Sequence, residues 1–365
     1  MSKRSTLKKN ILLTKEFALV CALFMLVAGC KKNPHDFILD NYQQTNLVAD
    51  VTGYGAAQID PNLVNAWGIA AAPSGPIWLS SNEPGLSTIY DKTGATLRPP
   101  VTIPGPGNTG KGAPTGVVFN GTTDFAIMWG KTVTASRFIF ATEDGTLAAW
   151  GPGTGNVAVI AADRSPWNAL YKGLTMANDG GNNFIYAANF RGGTIDVFDK
   201  NFQYVTTKPF HDPAIPPGFA PFNIRLIGDK LFVTYAKQKL PEKKDDDAGP
   251  GNGYVDIYRT DGVLVKRFAS KGALNSPWGM VESGSPFCNL NHAILIGNFG
   301  DGRINMYDDN GKFVGPLSSW GKPITIEGLW ALENNVPKAD PKQLFFTAGP
   351  ADESHGLFGY LMKSH

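Results

Sequence analysis

Cysteine is scarce in this chain, and histidine is scarce and scattered. Its 365 residues include 3 Cys and 5 His. Cys21, Cys30 and Cys288 are too few for a disulfide framework. His35, His211, His292, His355 and His365 form no HxH or HxxxH pair, so a zinc site lacks its usual spacing. No G-x-S-x-G elbow is present. Cys288 has His292 four residues on, but a lone cysteine in an exported chain reads as a small buried apolar residue. Charge is sparse too, at 18% with a net of +2. Much of the basic excess (Lys3, Arg4, Lys8, Lys9, Lys15, Lys31 and Lys32) precedes residue 33, leaving a mildly acidic remainder. Without a basic stripe to follow a phosphate backbone, nucleic-acid binding is not expected.

Glycine and proline are plentiful, at 42 and 26 residues. Alongside a hydrophobic share of 42% they cannot signal disorder, so they punctuate many short strands.

The N-terminus reads as an address. Five basic residues lie between positions 3 and 15, and the apolar run from Phe17 to Ala28 leads into Gly29-Cys30. A basic segment, an apolar segment of this length and small residues at the cut make a secretory signal peptide. The run is short for a membrane span, which needs roughly 20 residues. Val27-Ala28-Gly29-Cys30 matches the bacterial lipobox, whose cysteine takes up lipid through its thiol and becomes the first residue. The expected organisation is a signal peptide over 1–29, a lipid-anchored tether over 30–40 and one folded domain over 41–365, with lipidation at Cys30. This implies a monomer in the cell envelope, periplasmic or at the surface, held to a bacterial membrane by its lipid.

The folded part repeats. Phe184–Asp199 and Ala293–Asp308 both read strand, Asn-Phe turn with Gly, alternating strand, which is a hairpin signature. Six apolar segments align on Gly68, Gly116, Gly173, Asn223, Gly279 and Gly328, at spacings of 48, 57, 50, 56 and 49. Repeats of this length with four short strands are blades of a propeller. After Gly328 only three strands fit. Thr45-Asn-Leu-Val48 then supplies the missing strand of the last blade, closing the ring and hiding a sheet edge. The expected fold is all-β: a six-bladed β-propeller whose last blade is closed by the N-terminal strand. The long insertion Lys239–Gly253, with Asp245, Asp246 and Asp247 in a row, lacks the ligand spacing of a calcium loop and is expected to be a solvated loop.

Asn46-Leu-Val-Ala-Asp50, Asp60-Pro-Asn-Leu-Val-Asn-Ala-Trp-Gly-Ile69 and Gly112-Ala-Pro-Thr-Gly-Val-Val-Phe-Asn120 resemble the opening of a bacterial family of conserved hypothetical proteins. The resemblance covers nearly all of the chain after Asn41. It implies an exported NHL-like propeller and brings no established activity. More distantly, the blade pattern is similar to six-bladed lactonases and gluconolactonases. Those hold a divalent cation, usually calcium, in the channel with acidic and Asn side chains, but their own signatures are not recognisable here.

Propeller ligands bind where loops entering the inner strands meet loops leaving the second strands. The aligned repeats place Asn82, Glu143, Asn189 and Asn298 at second-strand ends, and Lys172 and Glu327 before inner strands. Glu327 would be a unique acid in its slot; with Asn189 and Asn298 it could form an oxygen site for calcium. Asn residues there equally cap tight turns through their own backbone. Arg191 and Arg303 suit an anion or plain solvation. Trp67 and Trp278 suit ligand stacking or core packing. Two functions follow. One is an envelope-tethered scaffold that binds a small molecule, glycan or protein partner at the channel mouth. The other is a calcium-dependent lactonase-like hydrolase.

Overall fold

A computed structural model describes residues 41–73 and 75–364. The signal peptide, Cys30 and the tether lie outside the described residues.

Six antiparallel sheets follow one another along the chain, over residues 66–102, 114–163, 171–205, 219–270, 277–316 and 329–363. The first five are four-stranded blades whose first strand faces the axis. The sixth takes its fourth strand from the other end of the chain: Tyr42–Ala49 pairs antiparallel with Leu357–Lys363, and the short Gln58–Ile59 adds a fifth strand, parallel to Tyr42–Ala49, on the outside. The register runs from Tyr42 opposite Lys363 to Ala49 opposite Leu357, with one bulge at Asn46–Val48. Leu47, Val48 and Ala49 are buried there, so ring closure is also core formation. Asp50 locks the corner, accepting from Gly356 N–H at 3.0 Å and meeting His355 Nδ1 at 2.8 Å. Fold and closure match the sequence expectation.

The unequal spacings have local causes. The long second repeat holds an extra hairpin, Ala126–Trp129 with Thr132–Ala135. The long fourth repeat holds the 238–252 loop. That loop is folded back on the protein: Gln238 bridges Asp246, Lys237 pairs with Asp247 at 2.6 Å, and Asp247 N–H donates to the Lys237 carbonyl.

One register differs from the sequence alignment. A Cβ on Gly68 would abut Thr115 and Val117, and one on Gly279 would abut Trp330 and Leu332. The neighbour of Gly279 around the channel is therefore Ala331, not Gly328. The sixth slot of the Trp67 position belongs to Trp330, and Glu327 lies three residues earlier in the approaching loop. The reason is Gly328 itself. Its φ of 64° makes a turn, and an added Cβ would sit 2.1 Å from the Gly349 carbonyl oxygen. Sequence spacing took this turn glycine for a channel glycine.

Cys288 is buried, with Sγ 3.2 Å from the Leu290 carbonyl. His292 is turned to Glu282 at 2.5 Å, so the two do not form a nucleophile–base pair.

Candidate functional site at the entry end of the channel

The six slots that begin the inner strands hold Trp67, Thr115, Lys172, Phe222, Trp278 and Trp330. Their sizes decide what the channel is. Trp67 and Trp330 stack at 3.4 Å between centroids, and Trp278 meets both edge-on, at 5.9 and 5.7 Å. Phe299 stacks on Trp330 at 4.0 Å, and Phe222 leans on it at 5.9 Å. Trp67 and Trp278 are 1% and 4% exposed, so they plug the channel as core residues. Beyond the plug a cavity of about 250 Å³ runs between the inner strands. Arg225 and Glu333, paired at 2.7 Å, line it.

Lys172 is the one charged residue among these slots. Its Nζ lies 4.9 Å from the Trp67 ring centre and 2.5 Å from Glu143 Oε1, both side chains being nearly sealed from solvent. Glu143 closes the second strand of blade 2, so the pair joins neighbouring blades. Burial opposes charge on both partners, but each holds the other ionised: Glu143 stays below the usual carboxylate range and Lys172 above the usual ammonium range. Lys244, from the blade 4 loop, reaches Glu143 Oε2 at 3.7 Å. Trp278 Nε1 donates to the Lys172 carbonyl at 3.1 Å, and Asn223 Nδ2 to the Trp278 carbonyl at 2.8 Å.

Two further acids act on Lys172, both from turns longer than the repeat requires. Asp246 comes from the 238–252 loop. Its Oδ2 is shut off from solvent beside Ser276, and burial raises its carboxyl above the usual range. Glu353 comes from the 349–356 turn. Its Oε2 accepts from Asn65 Nδ2 at 2.6 Å, while Asn65 Oδ1 accepts from Trp330 Nε1 at 3.1 Å. The indole thus fixes which way the Asn65 amide points. Burial raises the Glu353 carboxyl, with Lys172 the main opposing influence. Sequence reasoning set Asp246 aside with its neighbours as part of a solvated loop and passed over Glu353, because neither sits at a repeat position. The signal was turn length: blades 4 and 6 leave their second strands through 15 and 8 residues, 238–252 and 349–356.

The residues singled out from sequence distribute as follows. Glu143 joins Lys172 in the buried pair. Asn189 Oδ1 accepts from Leu170 N–H at 3.1 Å and Gly192 N–H at 3.0 Å, and its Nδ2 donates to Asp196 at 3.2 Å. Asn298 Nδ2 donates to the Ala273 carbonyl at 2.8 Å and to Asp301 at 3.0 Å; its Oδ1 is buried and unpartnered. Glu327 is exposed, and its Oε1 accepts from Ala351 N–H at 3.0 Å. Arg191 Nε donates to the Glu242 carbonyl at 3.2 Å, pinning the blade 4 loop, and Arg303 is exposed on the blade 5 turn. Among the described residues no three His, Cys, Asp or Glu side chains gather as a metal would require. Glu327, Asn189 and Asn298 do not supply such a set, since Asn189 and Glu327 already bond to backbone N–H groups and Asn298 is tied into its own turn. Cys30 lies outside the described residues.

A ring of six blades closed by the N-terminal strand makes this protein a six-bladed β-propeller. No family model matches it. Mimivirus proteins do: uncharacterized protein R648 of Acanthamoeba polyphaga mimivirus is 34% identical over 84% of this chain and 77% of its own length. Uncharacterized protein L690 of the same virus is 33% identical over 84% and 82%. The chain belongs to the family of these viral proteins, so family membership alone does not carry a bacterial address. Solved structures are alike in fold. A streptogramin B lyase superposes with a TM-score of 0.53 at 12% identity, covering 90% of this chain and 99% of the other. A calcium-binding regucalcin from Agrobacterium tumefaciens gives 0.52 at 15%, covering 84% and 94%.

Proposed function

We propose that this propeller is a ligand-binding protein whose binding site is the entry end of the channel, held at a membrane by lipid on Cys30. The observation that carries the site is the Lys172–Glu143 pair, buried on the Trp67 ring, with Glu353 and Asp246 acting on Lys172. Charge placed in a dry setting is costly, and such clusters concentrate at functional sites. The cavity beyond the plug is lined by Thr175, Asn223 and Trp278 beside aliphatic side chains, and its one ion pair, Arg225–Glu333, is already satisfied. A calcium-dependent hydrolase finds support in the fold of regucalcin alone, and the side chains here do not converge as calcium ligands do. Binding is therefore placed before catalysis. The lipobox at Val27–Cys30 supports the anchor.

The test of the site is a thermal-shift screen of glycans, lactones and small charged metabolites on the wild type and on Glu353→Gln. A compound that stabilises the first and not the second places recognition here. Compounds that stabilise both equally would remove the proposal. For the anchor, Cys30→Ser should move the protein from the membrane to the soluble fraction and drop its mass by that of the acyl chains; an unchanged partition would remove lipidation.

A further inference from the structure

Trp320 is displayed by a turn that lies outside the blade sheets. After blade 5, Ser318–Ser319 and Lys322–Pro323 form a small hairpin of their own. Ser319 pairs with Lys322, so Trp320 and Gly321 are the whole turn, at φ 49° and 75°. A two-residue turn with both φ values positive takes Asn-Gly by preference, and a bulky side chain there is strained. The indole gains no burial in return. It is 78% exposed, with Gly321, Lys322 and Pro323 exposed beside it. A lone exposed apolar residue needs no explanation, but one held in a strained conformation does.

The turn is tied to the place where the tether enters the domain. Asn41 Oδ1 accepts from Trp320 N–H at 2.8 Å, and Asn41 bridges Ser318. The Asn41 carbonyl accepts from Ser364 N–H at 2.7 Å and from Ser364 Oγ at 2.9 Å, which fixes it to the end of the last strand. In the sequence, residues 31–40 separate Asn41 from Cys30. Fully extended, such a stretch reaches about 35 Å. A compact domain of this size is about 50 Å across.

We propose that the Trp320 turn is a membrane-contact element: the indole enters the interfacial layer of a lipid bilayer, and Lys322 meets anionic headgroups. This rests on the reading of Cys30 as the lipidated residue. A tether shorter than the domain is wide holds the wall beside Asn41 at the bilayer, and that wall presents Trp320. Tryptophan suits this layer because its ring is apolar while its N–H still reaches water and headgroups. Lys322, with Lys31 and Lys32 of the tether, adds attraction to anionic lipid. A lipid alone leaves the domain free to swivel; a second contact at the root of the tether sets which wall faces the membrane. Trp167 supplies the contrast. It is 65% exposed in the turn from blade 2 to blade 3, three blades from the Trp320 turn and so across the ring. There the Arg164 guanidinium lies over its ring at 4.3 Å.

Full-length protein purified from membranes and reconstituted into phosphatidylcholine–phosphatidylglycerol vesicles tests this, with intact mass recording the acyl chains. Phosphatidylcholine brominated on its acyl chains quenches an indole that touches it. The wild type should lose roughly an eighth of its emission, because Trp320 is one of 8 Trp. Trp320→Asn should show at least threefold less quenching, and Trp167→Phe no less than the wild type. Asn suits a φ of 49°, so the denaturant midpoint of Trp320→Asn should be no lower than that of the wild type. If acyl chains are present and Trp320→Asn is quenched like the wild type, or neither is quenched, the inference falls and the anchor stands. A lower midpoint in Trp320→Asn would make the indole a structural residue and overturn the inference as well. If no acyl chains are found, the anchor reading falls and takes the inference with it.

Discussion

Lys172 Nζ and Glu143 Oε1 meet at 2.5 Å across the boundary between blades 2 and 3, on the face of Trp67. Each is the other's counter-charge in a place water does not reach. Removing one strands the other, which for buried pairs costs about 3–5 kcal/mol. Lys172→Met should therefore destabilise the protein by about that much in denaturant titrations, and Glu143→Gln by a similar amount. The double variant Lys172→Met with Glu143→Leu should recover most of the loss. A double variant no more stable than the singles would show that the pair is not the source of the effect.

Trp330 should behave as the keystone of the plug. It touches Trp67, Trp278, Phe222 and Phe299 and donates to Asn65. Truncating a buried aromatic to Ala costs about 3–5 kcal/mol, so Trp330→Ala should lower the denaturant midpoint sharply. Glu327→Ala, if Glu327 is the rim residue described above, should stay within about 1 kcal/mol. The reverse ranking would restore the register in which Glu327 faces the channel.

That contrast shows what the sequence could and could not disclose. Five of six inner strands were legible because a Gly or Asn follows the slot residue and lets neighbouring backbones approach; the sixth carries Ala331 there, while Gly328 imitates the motif nearby. Ring closure was legible from arithmetic, since three strands remained for a four-stranded blade and Thr45–Val48 was free. Asn189 was legible in both its readings, and its bonds to Leu170 and Gly192 N–H are those of a turn cap. Asp246 and Glu353 were not legible, because their approach to Lys172 depends on how two irregular turns fold over the channel, and turns carry no period.

Ring closure makes a further stability prediction. Tyr42–Ala49 covers the edge strand Leu357–Lys363, and Phe358 pairs with Val48 in the register. A chain starting at residue 51 leaves that edge and its apolar side chains open, which invites association between molecules. It should elute as oligomers or precipitate, whereas a chain starting at residue 41 should be monomeric with one cooperative transition. A monomeric, fully stable chain from residue 51 would make the closing strand dispensable.

Asp256 supplies a pH signature away from the channel. It is fully buried on the third strand of blade 4, bonded to Arg267, with Asp212 on the other side of the same guanidinium. Burial outweighs the pull of Arg267, and Asp212 adds like charge, so the carboxyl is pushed up to about 6. An acid raised on folding contributes stability that is complete below its unfolded value near 4 and is lost as pH rises through its folded value. Between about pH 4 and 6 the wild type should therefore lose roughly 2–3 kcal/mol relative to Asp256→Asn, which has no proton to give up there. Denaturant unfolding of both proteins at half-unit steps of pH measures the difference. A constant gap between them would mean that Arg267 holds Asp256 ionised throughout, and that the pair, not the buried acid, governs this blade.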